Sequence, residues 1–282
     1  MLDSADMDIL VRPARERGDY EACVRLQREV WGLSDLELTS AIQLVATVHA
    51  GGSLLVAEHG GETVGFCYAF AALRGGEAHL HSDMLAVRPA ARGLGVGPSL
   101  KWAQREEALR RGLRLVTWTF DPMRARNARL NLHRLGAVAR EVLPDFYGTT
   151  SSALHHGLAT DRLFMRWGLD SPRVARRAAG AAATPPDFAA LPALNEVTWP
   201  GEVPASSPPR LDLDGPELLL EIPDDWDAVV RADTGLAREW QEVVRRAFES
   251  LFARAYAAVD FASTRGARPR AGYVLRKARD GD

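Results

Sequence analysis

Residues 78–100, AHLHSDMLAVRPAARGLGVGPSL, constrain the fold most, because they set an extended strand, a glycine-rich turn and a helix start in immediate succession. His79 to Val87 reads as the strand. Successive strand side chains point to opposite faces, so Leu80, Met84 and Ala86 are expected on one side and His79, His81, Asp83, Leu85 and Val87 on the other. Pro89 cannot continue a ladder. Arg92-Gly93-Leu94-Gly95-Val96-Gly97 follows, with Pro98 and Ser99 opening a helix. Glycine lets a ligand approach the backbone closely, and the N–H groups of the loop and helix start present partial positive charge. Such a loop suits an anion, phosphate above all. A P-loop needs Gly-Lys-Ser/Thr, whereas Pro98 and Ser99 follow Gly97, and this excludes it. A dinucleotide fingerprint would need its third glycine where Pro98 stands, and several residues separate the strand from the first glycine.

Around this stretch the chain reads in order. Residues 8–12 (DILVR) form a first strand, and Tyr20, Cys23, Val24, Gln27, Val30 and Trp31 mark one face of a helix closed by Gly32. A second helix runs over residues 39–49. Residues 54–58 (LLVAE) and 63–71 are strands joined by a Gly60-Gly61 hairpin turn. Beyond the loop, residues 99–111 form a helix ended by Gly112, residues 114–120 (RLVTWTF) a strand, and residues 163–167 (LFMRW) another.

The pattern Arg/Gln-x-x-Gly-x-Gly/Ala is matched by Arg92, Gly95 and Gly97. This resembles the pyrophosphate loop of the GNAT superfamily of CoA-dependent N-acyltransferases; the plain alternative is a glycine-rich turn that binds nothing. The order of strand, two helices and three antiparallel strands before the loop is that of the superfamily's N-terminal half. The resemblance implies an α+β fold with a mixed sheet, and acetyl-CoA or another acyl-CoA as co-substrate without a metal. It implies CoA contacts from Leu85, Val87, Arg92, Gly93, Leu94, Gly95, Val96, Gly97 and Ser99. Residues 124–136, RARNARLNLHRLG, resemble the next motif, N-x-x-A-x-x-L-Y-x-x-x-G, and suggest that Asn127 and Asn131 share a helical face toward the pantetheine arm. The motif's tyrosine, the usual proton donor to the departing thiolate, falls at Leu132. Tyr147, in the later loop DFYG, is the nearest substitute, its plain alternative being a half-buried aromatic.

An amine attacks a thioester only as the free base, so a base or water relay is needed, and histidine suits that task. Counted back from Arg92, His81 falls where several family members carry a basic glutamate or histidine. Residues 78–87, AHLHSDMLAV, resemble the AHLHALAV of serotonin N-acetyltransferases, with Asp83 replacing the second histidine. Asp83 is expected to orient His81; the plain alternative is a structural pair. His155 and His156 lack a third ligand at metal spacing and stay unassigned.

The chain of 282 residues, 46% of them hydrophobic, has room for one large or two modest domains. Its net charge of -2 supplies no basic face for nucleic acid or an anionic membrane. Cys23 and Cys67 alone make neither a disulfide framework nor a cysteine zinc site, and a reducing cytoplasm fits. The start, MLDSADMD, is acidic where a signal peptide is expected to be basic and then apolar, and no apolar run reaches the roughly 20 residues of a membrane span.

The GNAT-like part is expected over residues 1–170. Residues 171–216 hold nine of the 16 prolines and read as a linker or loosely wrapped arm. Residues 217–282 resume as strand (ELLLEI), long helix with Leu236, Trp240, Val243, Val244, Ala247, Phe248, Leu251 and Ala255 as its apolar stripe, and two strands over residues 257–261 and 273–276. This tail resembles a degenerate half-GNAT module: LLEIP…LAREWQEVVRRAF…AAVDF echoes LAVRP…LKWAQREEALRR…LVTWTF without the phosphate glycines. Covering a sheet edge, pairing two subunits as a homodimer or walling the acceptor site are the roles it suggests. The expected acceptor is a small-molecule amine or an amino acid, with succinyl-CoA as an alternative donor; an acyl-CoA sensor or scaffold is the rival outside enzymes.

Overall fold

The computed structural model describes residues 9–148, 157–181 and 183–278. His155, His156 and the acidic start therefore lie outside the described residues. By its contacts the chain divides into two compact units, and the division falls within one strand, after Trp118. Gly168–Asp170 belong to the first unit.

In the first unit β1 (Leu10–Pro13) leads to α1 (Arg17–Trp31), α2 (Ala41–His49), β2 (Ser53–His59), β3 (Glu62–Arg74), β4 (Glu77–Val87), α3 (Val96–Arg110) and the start of β5 (Leu115–Phe120). Helix α1 starts on a capping box of Glu16 and Asp19, and α2 on Ser40, whose side chain accepts from the Gln43 amide. Asp19 does more. Its carboxylate takes two hydrogen bonds of 2.8 Å from Arg12 and also the amides of Arg15 and Glu16, while Arg12 reaches Glu58 as well.

The sheet runs β1-β2-β3-β4-β5, antiparallel except for the parallel β4/β5 pair. Its alternating side chains fill two layers. Leu54, Val56, Phe66, Tyr68 and Ala86 pack with Leu26 and Leu44 of α1 and α2, and Leu55, Ala57 and Cys67 pack with Val96 and Leu100 of α3. The alternation expected along β4 does not run through unbroken. Tyr68 pairs with Met84 and Ala69 with Ser82, so Asp83 is an extra residue, a β-bulge. Leu85 and Val87 lie on the α3 side and Met84 and Ala86 on the α1/α2 side. Before the bulge the assignment reverses: Ser82 faces Lys101 of α3, which puts His81 on the face opposite to Leu85.

The second unit continues with α4 (Ala125–Ala128), a π turn (Arg129–Arg134), β6 (Val138–Leu143), β7 (Arg162–Gly168), α5 (Pro172–Ala178), β8 (Val197–Thr198), β9 (Ala205–Ser206), β10 (Glu217–Ile222), α6 (Trp226–Ala232), α7 (Thr234–Ala253), β11 (Tyr256–Ser263) and β12 (Ala271–Lys277). Its sheet runs β7-β6-β11-β12-β10. The expected stripe of α7 is buried from Trp240 through Leu251. Two features of the half-module resemblance part from β4-α3-β5. Strand β12 lies between β10 and β11, and a second helix, α6, precedes α7. The helix starts are also occupied: Asp225 caps α6 and Asp233 caps α7 with their own carboxylates.

The proline-rich segment is a packed arm rather than a linker. Phe188 and Leu194 are buried, and Leu194 and Pro192 bond to Leu219 along the outer side of β10. Asn195, 2% exposed, donates to Ser206 Oγ at 2.8 Å and to the Glu221 carbonyl at 3.2 Å, and accepts from the Glu221 amide at 2.9 Å. Proline removes amide donors, yet this short run of backbone and one amide side chain suffices to dock it. No helix among the described residues is long and apolar enough to cross a membrane.

Candidate active site

Between β4 and α3 the loop turns through a short 3-10 helix, Pro89–Ala91, and then through Gly93 and Gly95 with φ of 92° and 88°. Those values fall where side chains with a Cβ are strained. Gly95 becomes the N-cap, so α3 begins at Val96, two residues before the expected Pro98. No amide from Gly93 to Gly97 donates to an acceptor among the described residues. Nothing lies within 4 Å of a Cβ built on Gly93 or Gly95, which leaves those amides reachable. Arg92 stands exposed at the entrance, its Nε 3.4 Å from the Val87 carbonyl. Unpaired amides, the positive end of a 15-residue helix and a guanidinium together fit a pyrophosphate.

On the same strand, β4 and β5 pair in parallel at only two rungs, Leu80 with Val116 and His81 with Thr117. There the strands fork. Beyond the last rung β4 and β5 no longer pair. His81 sits at this point, half-buried, with Nδ1 2.9 Å from Thr117 Oγ1 and its ring 5.1 Å from Phe70. Burial, then the positive charges of His79, Lys101 and Arg74, lower its pKa to about 4. His81 is therefore neutral at pH 7. Asp83, on the bulge, is exposed, and the surrounding chain lifts its carboxyl above the ordinary range, an effect that contact with water keeps small. The side chain that fixes His81 Nδ1 is thus Thr117, and Asp83 is not among the charges that shift it. Phe70 also walls a cleft of about 310 Å³ with Gln43, Ala46, Thr47, Ala50 and Ala71.

Residues 20–137 match the model of the acetyltransferase (GNAT) family. The chain carries a GNAT acetyltransferase domain there. That places it among acyltransferases. Solved structures with a similar fold include yncA from Salmonella typhimurium with its cofactor acetyl-CoA (22% identity, 58% of this chain and 95% of that one, TM-score 0.48). Others are a GNAT-family acetyltransferase from Streptococcus pneumoniae (20%, 56% and 98%, TM-score 0.45) and the ribosomal-protein-S18-alanine N-acetyltransferase from Escherichia coli (17%, 57% and 94%, TM-score 0.45). No curated protein matches the chain.

The GNAT match takes in the loop, the fork and the motif around Asn127 and Asn131, and ends before Tyr147. The two asparagines do not share a face. Asn127 is exposed on α4, whereas Asn131 is 6% exposed inside the π turn, whose wider spacing rotates residues four apart away from each other. Leu132 is fully buried. Tyr147 lies in the second unit, 49% exposed, its hydroxyl 3.4 Å from Thr119 Oγ1 and its ring against Phe146. The residues that sequence reasoning missed are Thr117, Phe70 and Lys101. For Lys101 a signal existed: Gly97, Lys101, Gln104 and Ala108 recur at helical spacing, which puts a lysine in the stripe that faces the sheet. Among the described residues no cluster of metal-ligating side chains occurs.

Proposed function

We propose that this chain moves an acyl group, acetyl in the first instance, from acyl-CoA to the primary amine of a small molecule by direct attack. One observation carries the reading: the unpaired amides of Gly93 to Gly97 follow directly on the strand that forks from β5 at His81. Those amides, with Arg92 and Ser99, would hold the pyrophosphate. Leu85 and Val87 would flank the arm. The cleft beside Phe70 would take the body of the acceptor.

With a pKa of about 4, His81 is a weak base. An alkylammonium of pKa about 10 would yield its proton to it only against a gap of about 8 kcal/mol. The amine therefore reacts from its small free-base fraction, its proton passing to the buffer before attack, and the neutral imidazole, its Nδ1 tied to Thr117, would receive a hydrogen bond from the free amine. The Asp83 carboxylate draws the ammonium toward the bulge. The amine nitrogen bonds to the thioester carbonyl carbon, and the C–S bond breaks so that CoA leaves as thiolate. The nitrogen, cationic after attack and so far more acidic than an ammonium, gives its extra proton through the imidazole to solvent. Tyr147 is the proposed proton donor to that sulfur. A thiol pKa near 8.5 also lets the thiolate leave unaided.

Buried Leu132, which has no proton to give, favours one second reading, a non-catalytic acyl-CoA sensor. A thiol-release assay with acetyl- and succinyl-CoA over a panel of amines and amino acids separates them. Amine-dependent release supports transfer; tight acyl-CoA binding with no release for any amine supports the sensor.

A further inference from the structure

One buried cation lies at the fork and takes no part in the chemistry above. Lys101 of α3 is 2% exposed. Its Nζ donates to Ser82 Oγ at 3.1 Å and to Gln104 Oε1 at 2.7 Å, and stands 4.0 Å from the centre of the Trp118 ring. Ser82 follows His81 on β4, and Trp118 follows Thr117 on β5. These are the first residues past the last rung of the ladder. Lys101 thus bonds one prong through a hydroxyl and the other through an aromatic face, at the place where backbone pairing stops. Ser82 is also the residue before the bulge, and its hydroxyl lies 3.6 Å from Cys67 Sγ on the neighbouring strand.

We propose that Lys101 is a positioning residue for acyl transfer, a clamp that grips Ser82 and Trp118 and so fixes how β4 and β5 part beside His81. This rests on the acyltransferase reading above. Two parallel rungs are a weak anchor, and a fork free to open or close would shift the part of β4 beyond the last rung against His81. A buried charge is an expensive way to fill the space, since a methionine of similar volume would pack there without desolvation. What the charge adds is direction, toward one hydroxyl and one ring face. It also acts through space. The charged groups that reach His81 are His79 on its own strand, Arg74 at the end of β3 and Lys101 from α3, with Asp83 two residues along the chain and the uncharged Thr117 and Phe70 in contact. Burial holds Lys101 itself down to a pKa of about 8.

Lys101→Met and Ser82→Ala test the clamp. Lys101→Met is expected to stay folded with an equal or higher melting temperature, to lose about 10- to 100-fold in kcat, the scale of a small misplacement at a reacting centre, and to change KM for acetyl-CoA less than about threefold. Ser82→Ala should lose kcat in the same range, and the double variant should lose no more than the larger single loss. The NMR titration of His81 should move to higher pH in Lys101→Met and stay in place in Ser82→Ala. Wild-type kcat and an unmoved His81 in Lys101→Met would overturn the clamp. If the wild-type chain acylates no amine, the acyltransferase reading fails, and hydrogen exchange then decides the clamp without activity. Faster exchange confined to the amides around Ser82 and Trp118 in Lys101→Met sustains it, and unchanged exchange overturns it.

Discussion

His81 holds its Nδ1 2.9 Å from Thr117 Oγ1, across the last rung that joins β4 to β5. The bond ties the imidazole to the strand that leaves it at the next residue. Its orientation therefore comes from β5, and its proton affinity from burial and nearby cations.

The first prediction concerns pH. With a pKa near 4, His81 gives kcat no acid limb above about pH 5, where an ordinary histidine would give one near 6.5. The stability sign is the reverse of a paired histidine. Below about pH 6.5 the unfolded chain takes up the proton first, so His81 draws stability down as pH falls toward 4. His81→Ala should lower kcat about 10²-fold, the low end for loss of an acid–base group, because the imidazole is a weak base. Thr117→Val should reproduce part of that loss. An NMR midpoint for His81 near 6.5 would contradict the account.

Gly95 and Gly97 should answer differently to substitution. Gly95 has φ of 88°, so Gly95→Val strains the loop by about 1–2 kcal/mol and should weaken CoA binding more than tenfold. Gly97 is helical, and a Cβ there would meet Val87 Cγ2 at an ordinary 3.9 Å. Gly97→Ala should therefore keep or raise stability while crowding the ligand, and weaken CoA binding by about tenfold through contact alone. Calorimetry on the folded variants reads both. Unchanged affinity in Gly95→Val would remove the loop from the site.

Asp19 should govern acid stability of the first unit. Arg12 and two backbone amides hold its carboxyl far below the usual carboxylate range. That stabilisation is complete above the unfolded value, about pH 4, and is lost as pH falls through the folded one. Asp19→Asn should cost about 2 kcal/mol at pH 7 and flatten the pH dependence below pH 4. Denaturant melts at both pH values check it.

Asn195→Ala should uncover the arm. It removes three hydrogen bonds from a site 2% exposed and leaves the Glu221 amide and carbonyl short of a partner, a loss of about 2–3 kcal/mol. Proteolysis within residues 183–216 should then speed up. Equal stability and equal cleavage would mean that the arm is not docked in solution.

The strand, loop and helix of the site were legible because Gly93, Gly95 and Pro89 each leave the backbone little choice. The bulge was not: an extra residue at Asp83 looks, in sequence, like one more step of the alternation, and it put His81 on the wrong face. Asn127 and Asn131 misled in the same way, because a π turn shifts the spacing that a 3.6-residue period assumes. Long-range pairing was also hidden. Nothing in ELLLEI or AAVDF says that β12 will come between them, and the prolines of residues 171–216 say what the segment cannot be, an inner strand, but not where it docks. Lys101 escaped because a lysine in a core stripe is read as a surface residue unless its neighbours on two strands are known.

The arm along β10 has a colloidal consequence. The strands of the second unit end at β10, and the backbone of Pro192 and Leu194 bonds to Leu219 on the side that β12 leaves open. An apolar strand, LLL, with bare amides and carbonyls would recruit the same strand from another copy, since edge pairing needs no specific side chains. The arm satisfies those groups within the molecule. A chain from which residues 188–210 are excised would meet its limit in solubility at high concentration well before it met one in folding.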